Sequence, residues 1–172
     1  MITNDEMERI RGWFSGRLPD AWQHEPPSIT VDREEITVLL TLADVAADES
    51  RSEAESAEAR AGRTKGFRED TRDRRIEIAR EAQHRFGRKV SWGVRIGDRA
   101  ELFTHVAAPV MTRLRQPQRQ VLDTLVEAGV ARSRSEALGW CVRLVGQHED
   151  DWLRELREAM SHVADVRDRG PA

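Results

Sequence analysis

Polar and apolar side chains alternate over a short stretch in the C-terminal third of the chain, from residue 110 to residue 115. Neighbouring side chains of a β-strand point to opposite faces, so this alternation predicts a strand. Val110, Thr112 and Leu114 then share an inner face that can contact a core, and Met111, Arg113 and Arg115 share the outer face. Because a lone strand this short leaves its backbone groups unpaired, we expect it to need a partner strand, which a second copy of the chain can supply.

Apolar residues recur at helical spacing after this strand. The pattern predicts three helices, over residues 118–128, 135–147 and 149–168. Gly129 lies where the first of them should end, since glycine is the usual residue just past a helix C-terminus. Ser133 and Glu136 have the spacing of a capping box at the start of the second helix.

The N-terminal part has the pattern of a small mixed layer of helices and strands. Period-two alternation predicts a hairpin over residues 28–42, in which Ile36, Val38, Leu40 and Leu42 share one face, and a strand over residues 90–96. A charged helical tract occupies residues 48–88, and we expect it to break or kink at Gly62 and Gly66, because each glycine costs about 1 kcal/mol inside a helix. Residues 4–12 are a further predicted helix, while residues 99–107 fit either a strand or a helical turn.

These elements predict an α+β fold with two domains. Residues 1–107 form a small N-terminal layer of a hairpin and a long helix. Residues 108–172 form a C-terminal strand–helix–helix module with an extra C-terminal helix. No motif in the first domain assigns a role to it.

Residues 110–145 resemble a ribbon-helix-helix module, the fold of DNA-binding regulators of the MetJ/Arc/CopG class. The resemblance is carried by Arg115-Gln116-Pro117, by a leucine-containing helix ending at Gly129, and by Ser133-Arg134-Ser135-Glu136. It implies a homodimer in which two antiparallel strands enter the major groove of DNA. It further implies that Met111, Arg113 and Arg115 face the bases, and that Ser133, Arg134 and Ser135 contact phosphate.

Elementary chemistry agrees with these implied roles. An arginine offers a bidentate match to the edge of guanine in the major groove. Free N–H groups and the helix dipole favour an anion at a helix start. The resemblance therefore predicts a sequence-specific transcription regulator that acts as a homodimer.

Two departures from the family pattern leave other functions open. Gln116 takes the place of an apolar residue, and more than a hundred residues precede the strand. One alternative is an interaction protein that uses the module only to dimerise, with another protein as its partner. A second alternative is a protein that binds RNA or the ribosome through the basic helix at residues 60–89.

The net charge of the chain predicts that any contact with nucleic acid is limited to a local basic region. The net charge is −3, with acidic residues in excess over residues 1–50 and basic residues in excess over residues 51–99. Interleaved acids make a solvated face the simpler interpretation of the basic tract. The excess of arginine over lysine is typical of an actinobacterial, GC-rich genome.

The sequence contains no motif that predicts catalysis. It has neither a nucleophile–base pair, nor a glycine loop that cradles phosphate, nor paired cysteines for a metal. We therefore expect a protein that is not an enzyme and has no cofactor and no metal. The single cysteine, Cys141, cannot form an internal disulfide, and no apolar run predicts a signal peptide or a membrane span. We accordingly expect a cytoplasmic protein.

Overall fold

The computed structural model describes residues 2–22, 24–45 and 52–169. It combines helices with one four-stranded sheet, so the predicted α+β class is confirmed. The chain divides into two compact units, Met1–Ala108 and Pro109–Ala172. These are called the N-terminal unit and the C-terminal unit below.

The sheet of the N-terminal unit contains four strands in the order in which they occur along the chain. They are β1 (Ser28–Val31), β2 (Glu35–Thr41), β3 (Lys89–Ile96) and β4 (Arg99–Leu102). Strands β1 and β2 pair antiparallel, β2 and β3 pair parallel, and β3 and β4 pair antiparallel. The predicted hairpin and the predicted strand at 90–96 are confirmed, and the ambiguous segment after them forms β4.

Two helices connect the parallel strands, because parallel neighbours need a long crossover. These are α2 (Glu53–Asp70) and α3 (Arg72–Phe86), and α1 (Asn4–Arg17) precedes the sheet. Helix α1 runs past the predicted end at residue 12. Its cap is Thr3, whose side chain accepts a hydrogen bond from the backbone N–H of Glu6 at 3.2 Å.

The core of the N-terminal unit lies between one face of the sheet and the helices. The predicted face of β2 is confirmed, since Ile36, Val38 and Leu40 are fully buried. Phe14 of α1 packs edge-on against Trp92 of β3, with ring centroids 6.2 Å apart. The core also contains Ile10 of α1, Leu18 just after this helix, Trp22, and Ile78 and Ala82 of α3.

The predicted break at Gly62 and Gly66 is wrong, because α2 runs through both residues without interruption. Two glycines cost about 2 kcal/mol in total, which tertiary packing of the helix can offset. The chain breaks instead at Thr71, between α2 and α3. There the hydroxyl of Thr71 donates to the carbonyl of Phe67 at 2.5 Å and accepts from Nε of Arg75 at 3.0 Å.

The C-terminal unit contains three helices, which are α4 (Gln116–Glu127), α5 (Arg134–His148) and α6 (Asp150–Arg169). Gly129 follows α4 with a φ of +73°, as predicted for a helix end. The predicted strand at 110–115 is not formed in the single chain, where the residues between β4 and α4 pair with no other strand. A β-strand forms only when its backbone is hydrogen-bonded to a neighbouring strand, and the described residues of one chain supply no such neighbour here.

Two glycine substitutions test this packing in opposite directions. A Cβ at Gly62 meets nothing within 4 Å, so Gly62→Ala should raise the free energy of unfolding by about 0.5–1 kcal/mol through helix propensity. A Cβ at Gly93 lies 2.7 Å from the carbonyl oxygen of Glu101, so Gly93→Ala should lower the free energy of unfolding. Urea unfolding of both variants measures the two effects, and a neutral Gly93→Ala would contradict the register of β3 and β4.

Candidate nucleic-acid interface

The three predicted base-reading residues lie on the segment that leads into α4. Met111, Arg113 and Arg115 are all exposed, and Met111 has 98% of its surface accessible. Leu114, between the two arginines, is half-buried against the core of the C-terminal unit. The arginines and the leucine therefore differ in exposure as the predicted alternation requires.

The other two residues predicted for the inner face are not covered in the single chain. Val110 is 86% exposed, and Thr112 is exposed as well. The prediction that they face a core is wrong for one chain alone, because nothing among the described residues packs over this part of the segment.

The end of the segment is fixed to the first turn of α4 by two hydrogen bonds. The backbone N–H of Arg115 donates to Oε1 of Gln118 at 2.9 Å. Nη1 of Arg119 donates to the carbonyl oxygen of Leu114 at 2.6 Å. These contacts set the direction in which the backbone of Arg115 leaves the helix, and sequence reasoning missed both Gln118 and Arg119.

The predicted phosphate-contacting residues lie together at the start of α5. Ser133 is the N-cap, and its hydroxyl accepts from the backbone N–H of Glu136 at 3.2 Å. The predicted capping box is only half formed, because the Glu136 carboxylate accepts from the backbone N–H of Arg132 at 2.8 Å instead of that of Ser133. This backbone hydrogen bond is the main cause that lowers the pKa of Glu136. Ser135 is exposed in the first turn.

Arg134 is held by a carboxylate that the sequence pattern did not single out. Its Nε and Nη2 donate to the two oxygens of Asp123 on α4, at 2.6 and 2.7 Å. This bidentate hydrogen bond lowers the pKa of Asp123 and raises the pKa of Arg134. The two residues are eleven positions apart in different helices, so no local spacing signal predicts the pair. A phosphate at this helix start would compete with Asp123 for the guanidinium.

The C-terminal unit buries very little of its own apolar surface. Its buried hydrophobic residues, within the part of the chain that the structure describes, are Leu122, Ala131 and Ala137. The large hydrophobic residues left exposed on its helices and on the turn after α4 are Val121, Val130, Val142, Leu144, Val145, Trp152, Leu156, Met160 and Val163. Val121 of α4 and Val142 and Val145 of α5 are therefore uncovered in one chain.

The basic tract at residues 60–89 is partly neutralised by acids. Arg60 pairs with Asp44 at 2.8 Å, and Arg74 pairs with Glu77 at 2.6 Å. Arg88 pairs with a glutamate of α1. Much of this tract is thus engaged within the N-terminal unit.

The described residues offer neither a metal-binding cluster nor a helix that could span a membrane. No group of three or more His, Cys, Asp or Glu residues in the described ranges is placed to hold a metal ion. Among the helices described, none has the length and apolar character that crossing a membrane requires.

The ion pair between Asp123 and Arg134 predicts a titration. A carboxyl whose pKa is lowered in the folded state stabilises the fold above its unfolded pKa, and that contribution is lost as the pH falls through the folded pKa. We expect Asp123 to titrate below the ordinary aspartate value of about 3.9, and Arg134→Gln to return it towards that value. An NMR titration of the Asp123 carboxyl carbon measures this. An unchanged pKa in Arg134→Gln would show that the pair does not form in solution.

Comparison with known proteins assigns both parts of the chain. Residues 8–102 match the family described as Rv1265-like protein, N-terminal domain, and residues 115–167 match the Mb1296 C-terminal domain. The chain is 58% identical over 159 residues to the uncharacterized proteins Rv1265 of Mycobacterium tuberculosis H37Rv and Mb1296 of Mycobacterium bovis. Those alignments cover 92% of this chain and 69% of each relative. No solved structure matches the chain. With one family covering more than half of its length, the chain belongs to the Rv1265-like proteins.

Proposed function

We propose that this chain is a homodimeric, sequence-specific DNA-binding transcription regulator whose residues 110–145 form a ribbon-helix-helix module. The observation that carries the proposal is the exposed segment 110–115, which leads directly into helices with uncovered apolar faces. Both features are explained by one missing partner, a second copy of the same segment and helices.

The apolar surface of the C-terminal unit supports a dimer. Full burial of a valine, leucine or methionine side chain stabilises a fold by about 1.5–3 kcal/mol. Three buried residues and the five partly buried hydrophobic residues packed against them form a small core, and a partner that covers the exposed set on α5 and α6 adds to it. Related by a two-fold axis, the same faces of two chains cover each other.

The segment before α4 supports recognition of DNA bases. In a two-stranded ribbon, Arg113 and Arg115 of each chain lie on the same outer face, because they are two residues apart. A ribbon of this kind fits the major groove, and each arginine can bind a guanine edge in bidentate fashion. The two-fold axis doubles the set of contacts, so the preferred DNA site is roughly palindromic. Met111 adds an apolar contact on this face.

The start of α5 supports a contact to the DNA backbone. Ser133, Arg134 and Ser135 are all exposed at one end of α5. Phosphate contacts give affinity and register, while base contacts give specificity. Arg134 has to exchange Asp123 for phosphate, which weakens this contact compared with a free arginine.

The ion pair of Arg134 also favours a second candidate function, in which the module serves only for dimerisation. In that function Arg134 stays paired with Asp123, and the ribbon contacts another protein. The net charge of −3 agrees with this candidate. Salt-dependent binding assays with DNA and with RNA separate the candidates, because contacts to phosphate give a steep salt dependence.

Dimerisation is tested by a charge in the middle of the exposed face of α6. Leu156 is 40% exposed in one chain, and Leu156→Glu should convert the dimer to a monomer or an unfolded C-terminal unit, since a carboxylate cannot be buried there without a partner. Arg154→Glu introduces the same residue on the opposite side of the helix and should leave the dimer intact. Sedimentation equilibrium measures both variants. A wild-type chain that is monomeric at micromolar concentration would refute the dimer.

Base recognition is tested by truncation of the arginines in segment 110–115. Arg113→Ala and Arg115→Ala should each lower the affinity for a selected duplex by about 1–3 kcal/mol and relax the base preference at one position of each half-site. Arg157→Ala, on α6, removes the same charge away from the ribbon and serves as the control. Fluorescence anisotropy with selected and scrambled duplexes measures the difference. Equal binding of every duplex by all four proteins would rule out reading by these residues.

A further inference from the structure

A cationic cleft lies in the N-terminal unit, between helices α2 and α3 and the residues that follow β4. Its volume is about 520 Å³, within the range of small-molecule sites in proteins. Four basic side chains and one acid line it, which are Lys65, Arg68, Arg72, Arg75 and Glu69. Phe103 forms part of its wall. We call this the α2–α3 cleft.

Arg75 is the most unusual residue of the cleft, because it is only 6% exposed and has no carboxylate partner among the described residues. Its Nε donates to the hydroxyl of Thr71 at 3.0 Å, and its Nη2 donates to the carbonyl of Arg68 at 2.7 Å. These acceptors are neutral and the ring of Phe103 lies 4.9 Å away, so no negative charge among the described residues compensates the buried positive charge. Desolvation and the charges of Arg68 and Arg72 lower the pKa of Arg75, but an arginine stays protonated in proteins.

The other basic residues of the cleft are only weakly paired. Arg68 makes no ion pair among the described residues and lies over the ring of Phe103, with Cζ 5.6 Å from the centroid. Arg72 reaches the exposed Asp73 at 3.7 Å, and Lys65 reaches Glu69 at 4.0 Å. Exposed pairs at such distances contribute little, and their basic partners remain available to a ligand.

A second cavity of about 430 Å³ shares Ile76 and Thr104 with the α2–α3 cleft. It adds two more basic residues, Arg80 and Lys89. Ser91 also lines it, and the hydroxyl of this fully buried serine has no hydrogen-bond partner in the described structure. The positive charge of the cleft thus continues into a neighbouring space that holds an unsatisfied polar group.

We propose that the α2–α3 cleft binds a small anionic molecule that carries phosphate groups. Arginine guanidinium groups bind phosphate in bidentate fashion, and a bound anion compensates the buried charge of Arg75. The guanidinium groups of Arg68 and Arg75 already lie over the ring of Phe103, with Cζ of Arg75 4.9 Å from the ring centroid. The ligand is therefore recognised by charge and not by stacking on this ring. Because only 6% of Arg75 is exposed at the wall of the cleft, the site favours a compact phosphate group over the backbone of a nucleic-acid duplex.

The test uses the full chain without DNA, with inorganic pyrophosphate and tripolyphosphate as probes. Titration calorimetry and thermal unfolding are carried out at constant ionic strength, with sulfate and chloride as reference anions. We expect saturable binding and a Tm that rises by about 5 °C or more at concentrations far above Kd. Sulfate should produce a smaller effect, because it cannot span several guanidinium groups.

Matched variants of α2 and α3 locate the site. Arg68→Gln removes a charge that lines the cleft, and the pair Arg68→Gln with Arg72→Gln removes two. Arg63→Gln removes an exposed charge of α2 that lies outside the lining of the cleft. We expect a loss of affinity for tripolyphosphate of tenfold or more in the first two variants and no change in Arg63→Gln. Arg75 is not substituted in this test, since its contacts to Thr71 and Arg68 hold the junction of α2 and α3.

Three results would overturn the proposal. The first is no saturable binding of either probe to the wild-type chain. The second is equal stabilisation by sulfate and tripolyphosphate, or an equal response of Arg63→Gln and Arg68→Gln, which indicates general screening of charge. The third is that Arg68→Gln weakens binding of duplex DNA or RNA while the probes have no effect, which makes the cleft a nucleic-acid contact. Since the probes are tested without DNA, failure of the DNA-binding proposal does not change these outcomes.

Discussion

The uncovered apolar surface of helices α4, α5 and α6 is the constraint on which the account of this protein depends. In the described structure the C-terminal unit buries Leu122, Ala131 and Ala137, while large side chains such as Trp152 and Leu156 stay open to solvent. Removal of apolar surface from water is the main favourable term in folding, so a unit that lacks it needs a partner. Segment 110–115 also needs a partner, because its backbone N–H and C=O groups pair with no other strand among the described residues. Our proposals of a dimer and of a ribbon follow from this lack of buried apolar surface and of backbone pairing. The proposal of DNA recognition rests in turn on the ribbon.

Arginine–carboxylate pairs position the helices in both units and decide which cations remain for a ligand. Arg17 of α1 binds both carboxylate oxygens of Glu81 on α3, at 2.6 Å each, and this hydrogen bond lowers the pKa of Glu81. In the C-terminal unit, Asp123 binds Arg134 in the same bidentate way. Arg68 and Arg75 have no such partner among the described residues, and both line the α2–α3 cleft.

The sequence predicts the parts of the fold that depend on local patterns. Period-two alternation predicts the hairpin of β1 and β2 and the buried face of Ile36, Val38 and Leu40, and Gly129 predicts the end of α4. Local sequence patterns do not predict features that depend on contacts between distant residues. The tract at 48–88 breaks at Thr71, where Arg75 reaches back to α2, and not at the glycines. At the candidate interface, the exposed positions of Arg113 and Arg115 follow from alternation, but the pairing of Arg134 with Asp123 requires the packing of two helices.

The central claim is that segment 110–115 becomes a strand by pairing with the same segment of a second chain. Hydrogen–deuterium exchange of its backbone amides, measured over a series of protein concentrations, tests this most directly. Amides that enter a ladder exchange slowly, while those of an exposed segment exchange at the rate of an unfolded peptide. The account predicts that protection of these amides appears with the dimer and rises with protein concentration. Exchange at the unprotected rate in a chain that is already dimeric would contradict it.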